Sequence, residues 1–203
     1  MKLKVRESII RLIDIVGALI GLSVSAVLIL IIGLFVKRDG GNCFFKQKRV
    51  GLNGKYFVMW KIRSMVVDAE IIRQDLIAQS DVQGMFKMKD DPRITPVGKF
   101  IRKHSLDELP QFWNVLKGDM SLVGPRPALE EEYEKYTEIE KERLKVKPGL
   151  TGLWQVKGRS NVDFDTMIAL DLEYIAHRSV WLNISILAKT VWLIFPSDKN
   201  GAY

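Results

Sequence analysis

At 203 residues the chain suits one domain with an anchor, and an apolar fraction of 47% excludes a disordered polypeptide. Its 31 Lys and Arg against 24 Asp and Glu leave a formal charge of +7, which suits phosphate-rich partners: nucleic acid, nucleotides or an anionic membrane surface. One cysteine, Cys43, excludes an internal disulfide and a cysteine-based zinc site, and two histidines, His104 and His177, exclude a histidine-rich metal site.

The first element is an uncharged, mostly apolar run of 22 residues from Ile15 to Val36. As a helix it reaches about 33 Å, enough to cross a hydrocarbon core of about 30 Å. A cleaved signal peptide does not fit, because Lys37-Arg38-Asp39 follows where a small-residue cleavage site belongs. Lys2, Lys4, Arg6 and Arg11 precede the run, and Lys37, Arg38, Lys46, Lys48 and Arg49 follow it. The positive-inside tendency therefore draws both ends to the cytoplasmic side. A re-entrant helix, which enters and turns back, satisfies both flanks where a straight span cannot. Gly17, Gly21, Ser23, Ser25 and Gly33 offer places for the bend.

Cys43, in the apolar run Cys43-Phe44-Phe45, reads as a buried small hydrophobe. Residues 43–50 and 55–63 read as two β-segments around the turn Gly51-Leu52-Asn53-Gly54. A helix is expected over 65–79, with Val67, Ile71, Ile72 and Leu76 as a core-packing stripe, and a polar loop over 83–93. Thr95-Pro96 supplies a cap and a first-turn proline for a helix over 96–103. Ser105 and Glu108 have capping-box spacing for a second helix that ends at Gly118, with Asp107 as the alternative cap because Pro110 otherwise lies late. An acidic helix near 128–145, a loop over 147–152, and helices near 163–177 and 180–195 complete the chain. The last holds Trp181, Trp192, Leu193, Ile194 and Phe195 beside Asn183 and Lys189. It is too short and too polar to span, and is expected to lie on the membrane surface, with a buried core helix as the alternative.

The densest chemistry lies between Ser105 and Pro127. Adjacent acids such as Asp107-Glu108 are commonly no more than favourable charge in a helical first turn. A second reading uses both. A carboxylate is ionised at neutral pH and can attack phosphorus without a general base, provided a cation offsets the charge of the phosphate it approaches. Mg²⁺ held by one carboxylate and by substrate phosphates meets that need, as do nearby basic groups. Asp107 as nucleophile and Glu108 as metal ligand fit this division, although spacing alone leaves open which acid takes which role. Lys61, Arg63, Arg102 and Arg126 are the candidate phosphate clamps. Arg126, stiffened between Pro125 and Pro127 after Gly124, has the strongest claim. His104 reads as a cap or solvated group, since the attack needs no proton transfer.

Taken in order, the motifs of nearly the whole chain resemble the bacterial sugar transferase family, the monotopic polyprenyl-phosphate phosphoglycosyl transferases. They include the basic start and apolar segment, Phe45-Lys46-Gln47-Lys48-Arg49-Val50-Gly51, Trp60-Lys61-Ile62-Arg63-Ser64-Met65, Asp91-Pro92-Arg93-Ile94-Thr95 and the 105–127 cluster. Lys147-Pro148-Gly149-Leu150-Thr151-Gly152, Trp154-Gln155-Val156, Gly158-Arg159, Leu170-Asp171-Leu172-Glu173-Tyr174 and Gly201-Ala202-Tyr203 continue the match. The resemblance implies a ping-pong transfer at the cytoplasmic face of the bacterial inner membrane. Asp107 attacks the β-phosphate of a UDP-sugar, UMP leaves, and polyprenyl (undecaprenyl) phosphate takes the sugar phosphate, as the first membrane step of glycan assembly. It also implies Mg²⁺ on Glu108, Lys61 and Arg102 near phosphate, and Gly124, Pro125, Arg126 and Pro127 at the nucleotide. The implied partners are the UDP-sugar, polyprenyl phosphate and membrane lipids, with no nucleic acid; a homodimer is left open. Members often carry a serine-proline pair midway through the anchor, where this chain has Ser25-Ala26-Val27. The likeness is to the minimal form, without an extra N-terminal membrane domain.

The expected fold class is thus α/β, helix-rich and irregular, with a small β-hairpin, an N-terminal re-entrant membrane helix and membrane-surface amphipathic helices. Residues 1–38 form the basic start and the membrane helix, whether re-entrant or spanning; 39–203 form a cytoplasmic catalytic domain. A basic helix-turn-helix over 95–118 is the first rival, but it would place two acids where DNA phosphates dock. A non-catalytic membrane scaffold is the second. It gives the acid pair and the proline-flanked arginine no purpose.

Overall fold

The computed structural model describes residues 2–76, 88, 90–158 and 162–194. The end of the expected 65–79 helix, part of the 83–93 loop, Arg159, Phe195 and the terminal Gly201-Ala202-Tyr203 lie outside them. The described fold is helix-rich, with one antiparallel and one parallel two-stranded sheet.

Helix α1 runs from Lys2 to Val36 as a single helix, about 52 Å long at ~1.5 Å per residue. Ile10, Asp14, Ala18, Gly21, Ser25, Ile29, Ile32 and Val36 recur at helical spacing and form its inner stripe, buried or half-buried throughout. The other faces, among them Leu12, Ile20, Val24, Leu30 and Leu34, are exposed. Gly17 and Gly21, expected as bend points, are instead points of close approach. A Cβ on Gly17 would lie 2.5 Å from Leu122 Cδ1, and one on Gly21 2.6 Å from the Phe112 ring. Ser23 and Ser25 return their hydroxyls to the carbonyls of Leu19 and Gly21, at 2.9 and 2.6 Å, a bond type that favours bending.

Both ends of α1 are tied to the same body. Glu7 pairs with Arg178 at 2.5 Å near the start, and Arg63 donates to the Val36 carbonyl at 2.8 Å at the end. Between them, Arg11 donates to the Val115 and Leu116 carbonyls, both at 2.7 Å, and Asp14 Oδ1 accepts from Leu122 N at 2.8 Å and Ser121 Oγ at 2.9 Å.

Strands β1 (Phe44–Val50) and β2 (Tyr56–Ile62) pair antiparallel, with Val50 opposite Tyr56. Their turn uses Asn53 and Gly54 at φ 54° and 74°, the left-handed region that this residue pair tolerates. Helix α2 (Ala69–Leu76) starts four residues later than expected, because a bridge between Met65 and Ile94 holds the preceding segment extended. The stripe expected there is not core: Val67 and Ile71 are exposed. Cys43 is half-buried rather than buried.

Helix α3 (Pro96–Lys103) begins as expected, with Thr95 Oγ1 accepting from Gly98 N at 2.9 Å. The capping box at Ser105 does not form. Ser105 takes φ 54° without a side-chain cap bond, a 3-10 turn covers Leu106–Glu108, and α4 (Gln111–Lys117) starts after Pro110. Pro110 has no N–H to carry one helix through. Gly118, at φ 95°, ends α4 as expected.

The acidic stretch near 128–145 breaks into α5 (Glu130–Tyr133), α6 (Glu138–Lys141) and a 3-10 turn, since Thr137 caps a fresh start. Strands β3 (Ser121–Val123) and β4 (Gly149–Thr151), parallel and not anticipated, are three residues each. Helices α7 (Leu153–Lys157), α8 (Phe164–His177) and α9 (Val180–Ile194) close the main core. That core gathers Ala18, Met59, Val115, Met120, Leu122, Tyr174 and Ile186. Trp181 and Trp192, eleven residues and three turns apart on α9, remain 80% and 76% exposed.

Gly98 lies on the chain leaving β2, where an added Cβ would be 1.8 Å from the Ser64 carbonyl oxygen. Alanine at an ordinary helical glycine stabilises by up to about 1 kcal/mol. Gly98→Ala is expected to do the reverse, lowering the melting temperature by at least ~2–4 °C, the shift of about 1 kcal/mol in a chain of this size. Thermal unfolding of the detergent-solubilised protein reads this directly.

Candidate functional site

The acid pair sits on a support built from three elements. Ile62 at the end of β2, Ile101 on α3 and Val36 of α1 form a buried cluster, against which Leu106, Ile29 and Ile32 pack. Leu106 therefore anchors the 3-10 turn on this cluster, where β2, α3 and the end of α1 meet, and the next two residues are Asp107 and Glu108. Burying side chains of this size contributes about 1.5–3 kcal/mol each. Part of that offsets the left-handed Ser105, since a non-glycine residue held in that region costs of the order of 1–3 kcal/mol.

Lys61, one residue before the end of β2, points at this turn. Its Nζ lies 3.0 Å from Glu108 Oε1 and 3.7 Å from Asp107 Oδ2, so two carboxylates share one ammonium. Asp107 is buried, whereas Glu108 is about a third exposed. Burial pushes the Asp107 carboxyl above the usual aspartate range, Lys61 pulls it back and Glu108 pushes it further. Arg102, exposed on α3, adds a smaller favourable field at Asp107. Two negative charges against one close cation leave a surplus that a further cation can neutralise. Glu108 can offer an oxygen to Mg²⁺, with substrate phosphate and water completing the shell, the usual way this ion is held. Among the described residues no cluster of three or more His, Cys, Asp or Glu offers an all-protein cage.

The segment Gly124-Pro125-Arg126-Pro127 follows β3 and forms a second, more buried constellation. Arg126 pairs with Glu132 at 2.8 Å. Burial pulls the Arg126 guanidinium down, but Glu132 outweighs it and leaves the pKa raised. Behind it, Arg143 pairs with Asp171 and donates to Tyr136 Oη at 2.7 Å. Burial pushes Asp171 up to about 6 against the pull of Arg143. Arg49, at the end of β1, connects the two constellations: burial and Arg126 push its guanidinium down to about 9, while Glu132 and Glu108 oppose the fall.

Of the residues singled out from sequence, Lys61, Arg102, Asp107 and Glu108 thus come together, and Gly124, Pro125, Arg126 and Pro127 form the neighbouring loop. Arg63 stands apart, its guanidinium engaged by Asp39 and by the carbonyls of Val36, Asn42 and Met65. His104 is exposed, with Nδ1 2.9 Å from the Phe100 carbonyl oxygen. Arg49, Glu132, Arg143 and Asp171 were not picked out as site residues. Arg49 reads in sequence as one more flanking charge and Glu132 as one of three consecutive glutamates. The Leu170–Tyr174 motif was visible, but nothing in it tells which cation Asp171 meets.

Comparison with known proteins adds an independent observation. The profile of the family described as bacterial sugar transferase matches residues 5–197. The chain is 52% identical over 186 residues to galactosyl transferase CpsE of Streptococcus agalactiae serotype III, covering 91% of this chain and 41% of that protein. It is 46% identical over 198 residues to the undecaprenyl-phosphate galactose phosphotransferase of Salmonella typhimurium, covering 95% and 41%. It is 47% identical over 200 residues to the UDP-galactose-lipid carrier transferase of Erwinia amylovora, again covering 95% and 41%. The chain spans about two fifths of the length of these relatives.

The Arg126–Glu132 pair carries a pH signature. Burial raises the Glu132 carboxyl, but Arg126 and the Leu129 N–H, at 2.8 Å, lower it further, so its pKa lies below the usual 4.5. A depressed carboxyl contributes stability that is complete above its unfolded pKa and is lost as pH falls through the folded one. Glu132→Gln is expected to cost about 1–3 kcal/mol at pH 7 and to lessen acid destabilisation below pH 4.5. Melting temperatures of both proteins between pH 3 and 7 measure the difference.

Proposed function

Since the chain belongs to the bacterial sugar transferase family, we propose that it transfers a sugar 1-phosphate from a UDP-sugar to polyprenyl phosphate at the membrane surface. The observation that carries this reading is the buried Asp107 beside the more exposed Glu108, with Lys61 within reach of both carboxylates. Names of the relatives support donor and acceptor: one is a UDP-galactose-lipid carrier transferase, another an undecaprenyl-phosphate galactose phosphotransferase.

In the proposed mechanism the Asp107 carboxylate attacks the β-phosphorus of the donor. The bond from that phosphorus to the bridging oxygen breaks, UMP leaves with the electron pair, and a sugar phosphate remains on Asp107 as an acyl phosphate. A phosphate oxygen of the polyprenyl acceptor then attacks the same phosphorus, frees the carboxylate and forms the polyprenyl-diphosphate sugar. Lys61 balances Asp107 before attack and can follow the negative charge onto the phosphoryl oxygens. Arg102 lends field from the open side, and Arg126 with its flanking prolines receives the nucleotide. Mg²⁺ on Glu108, when bound, supplies further charge neutralisation at the diphosphate.

The membrane supplies the acceptor. Helix α1 is long and apolar enough to cross a bilayer, and only 17% of its most apolar window is buried by protein. Both of its ends are tied to the same folded body, so a straight crossing would draw polar parts of that body into the hydrocarbon. A re-entrant course on the cytoplasmic side, with the α9 face of Trp181 and Trp192 at the interface, removes that conflict. It also brings the Leu106 turn, which packs on the cluster at the end of α1, within reach of a lipid phosphate.

Two experiments test this function and topology. Intact-mass analysis with Mg²⁺ and a panel of UDP-sugars, without acceptor, should reveal an added sugar phosphate that is absent in Asp107→Asn. UMP release by that variant should fall to background. No adduct, together with no UMP after polyprenyl phosphate is added, would sink the enzyme reading. For topology, single cysteines at positions 4 and 38 in a Cys43→Ser background should both react with impermeant reagent only from the cytoplasmic side. Labelling of position 4 from outside would exclude the re-entrant course.

A further inference from the structure

The segment after β3 is held in an unusual way. Pro125 and Pro127 have no N–H, so every second residue lacks the donor by which backbone is normally fixed. Its carbonyls carry the load instead. Pro125 O accepts from Gly149 N at 2.9 Å, Arg126 O from Arg143 Nη2 at 3.3 Å, Pro127 O from Arg49 Nη1 at 2.9 Å, and Ala128 O from Val50 N at 2.9 Å. Four consecutive carbonyls are thus gripped from three parts of the chain, Arg49 and Val50 being neighbours at the end of β1, and the middle two depend on arginine side chains.

These two arginines are costly groups for this purpose. Arg143 is 1% exposed and Asp171 fully buried, with Arg143 Nε and Asp171 Oδ1 left without hydrogen-bond partners. For stability alone, a well-packed apolar pair commonly serves as well as a buried ion pair. Arg49, 8% exposed, spends its other donors on the neutral Gln47 Oε1, at 3.1 and 2.7 Å. What an apolar replacement cannot do is set the direction of two adjacent carbonyls, and so of the Arg126 side chain between them.

We propose that Arg49 and Arg143 are positioning residues for the donor nucleotide: they fix the Pro125–Ala128 backbone and thereby the binding geometry of Arg126. The proposal rests on the reading of this loop as the nucleotide site. Neither arginine touches the reacting phosphorus, so their removal acts on donor affinity more than on the chemical step. A guanidinium fixes two directions at once where an ammonium fixes one, which makes lysine a partial substitute.

The test is steady-state kinetics of the full chain in nanodiscs with polyprenyl phosphate, varying the UDP-sugar, alongside melting temperatures. Arg49→Gln should raise KM for the donor about tenfold or more, with kcat changed less than about threefold, and Arg49→Lys should recover part of the loss. Because Arg143→Ala would strand the Asp171 charge, the second probe is the double change Arg143→Met with Asp171→Leu. It removes the pair together and should raise donor KM in the same way in a protein that still melts cooperatively. Unchanged donor KM in folded variants, or loss of kcat alone, overturns the positioning role and leaves the transferase reading intact. So does unfolding of Arg49→Gln that Arg49→Lys does not reverse. A wild-type chain that turns over no donor overturns both together.

Discussion

A helix that is apolar and open on one side and packed on a polar domain on the other needs an inner face that permits close approach without leaving charge unpaired. In α1 this is met by small residues and by two charged groups with assigned partners, Asp14 buried and Arg11 partly buried. Gly17 and Gly21 admit Leu122 and Phe112, in the manner of small residues at helix interfaces in membranes. Asp14 spends its carboxylate on the free edge of β3, and Arg11 caps the last carbonyls of α4. A three-residue parallel pair is too short to stand alone. With β4 on one edge and Asp14 on the other, it becomes the platform from which the 124–128 segment leaves.

The same docking sets the acid pair. Leu106 packs on the same buried cluster of Val36, Ile62 and Ile101 that receives Ile29 and Ile32 of α1, and Asp107 and Glu108 follow that anchor directly. The electrostatics then divide. Close to the acid pair there is too little positive charge, and around Arg126 the arginines outnumber their carboxylate partners: Arg49, Arg126 and Arg143 stand against Glu132 and Asp171, with Glu108 acting on Arg49 from the other half. The proposed donor, an anionic diphosphate with a divalent cation, would complement both halves, the metal at the acids and the nucleotide toward the arginines. Each half keeps an excess of one sign, and perturbed charge in a partly buried place is one mark of a functional site.

Much of this was legible before any coordinates. The apolar run, the β-hairpin about Asn53-Gly54, the Thr95 cap and the stop at Gly118 each follow from local rules, and each appears where those rules put it. The capping box at Ser105 failed for a local reason too, since Pro110 interrupts the helix it would have opened. The Val67–Leu76 stripe failed for another. Helical spacing of apolar residues shows which face could be buried, but it does not show that a neighbour exists to bury it.

The sequence by itself determined the local elements and the chemical inventory: a long apolar segment with basic flanks, adjacent acids, and an arginine stiffened by prolines. Family membership was legible as well, because ordered motifs are a property of the chain. Tertiary structure alone decided which cation serves which anion. Lys61 and Arg63 are two residues apart on the way out of β2, yet one joins the acid pair and the other fastens the end of α1. Arg49 and Arg143, far apart in sequence, meet on adjacent carbonyls of one loop. Pairings of this kind depend on distances of a few ångströms between segments tens of residues apart, and no local rule of spacing or propensity carries that information.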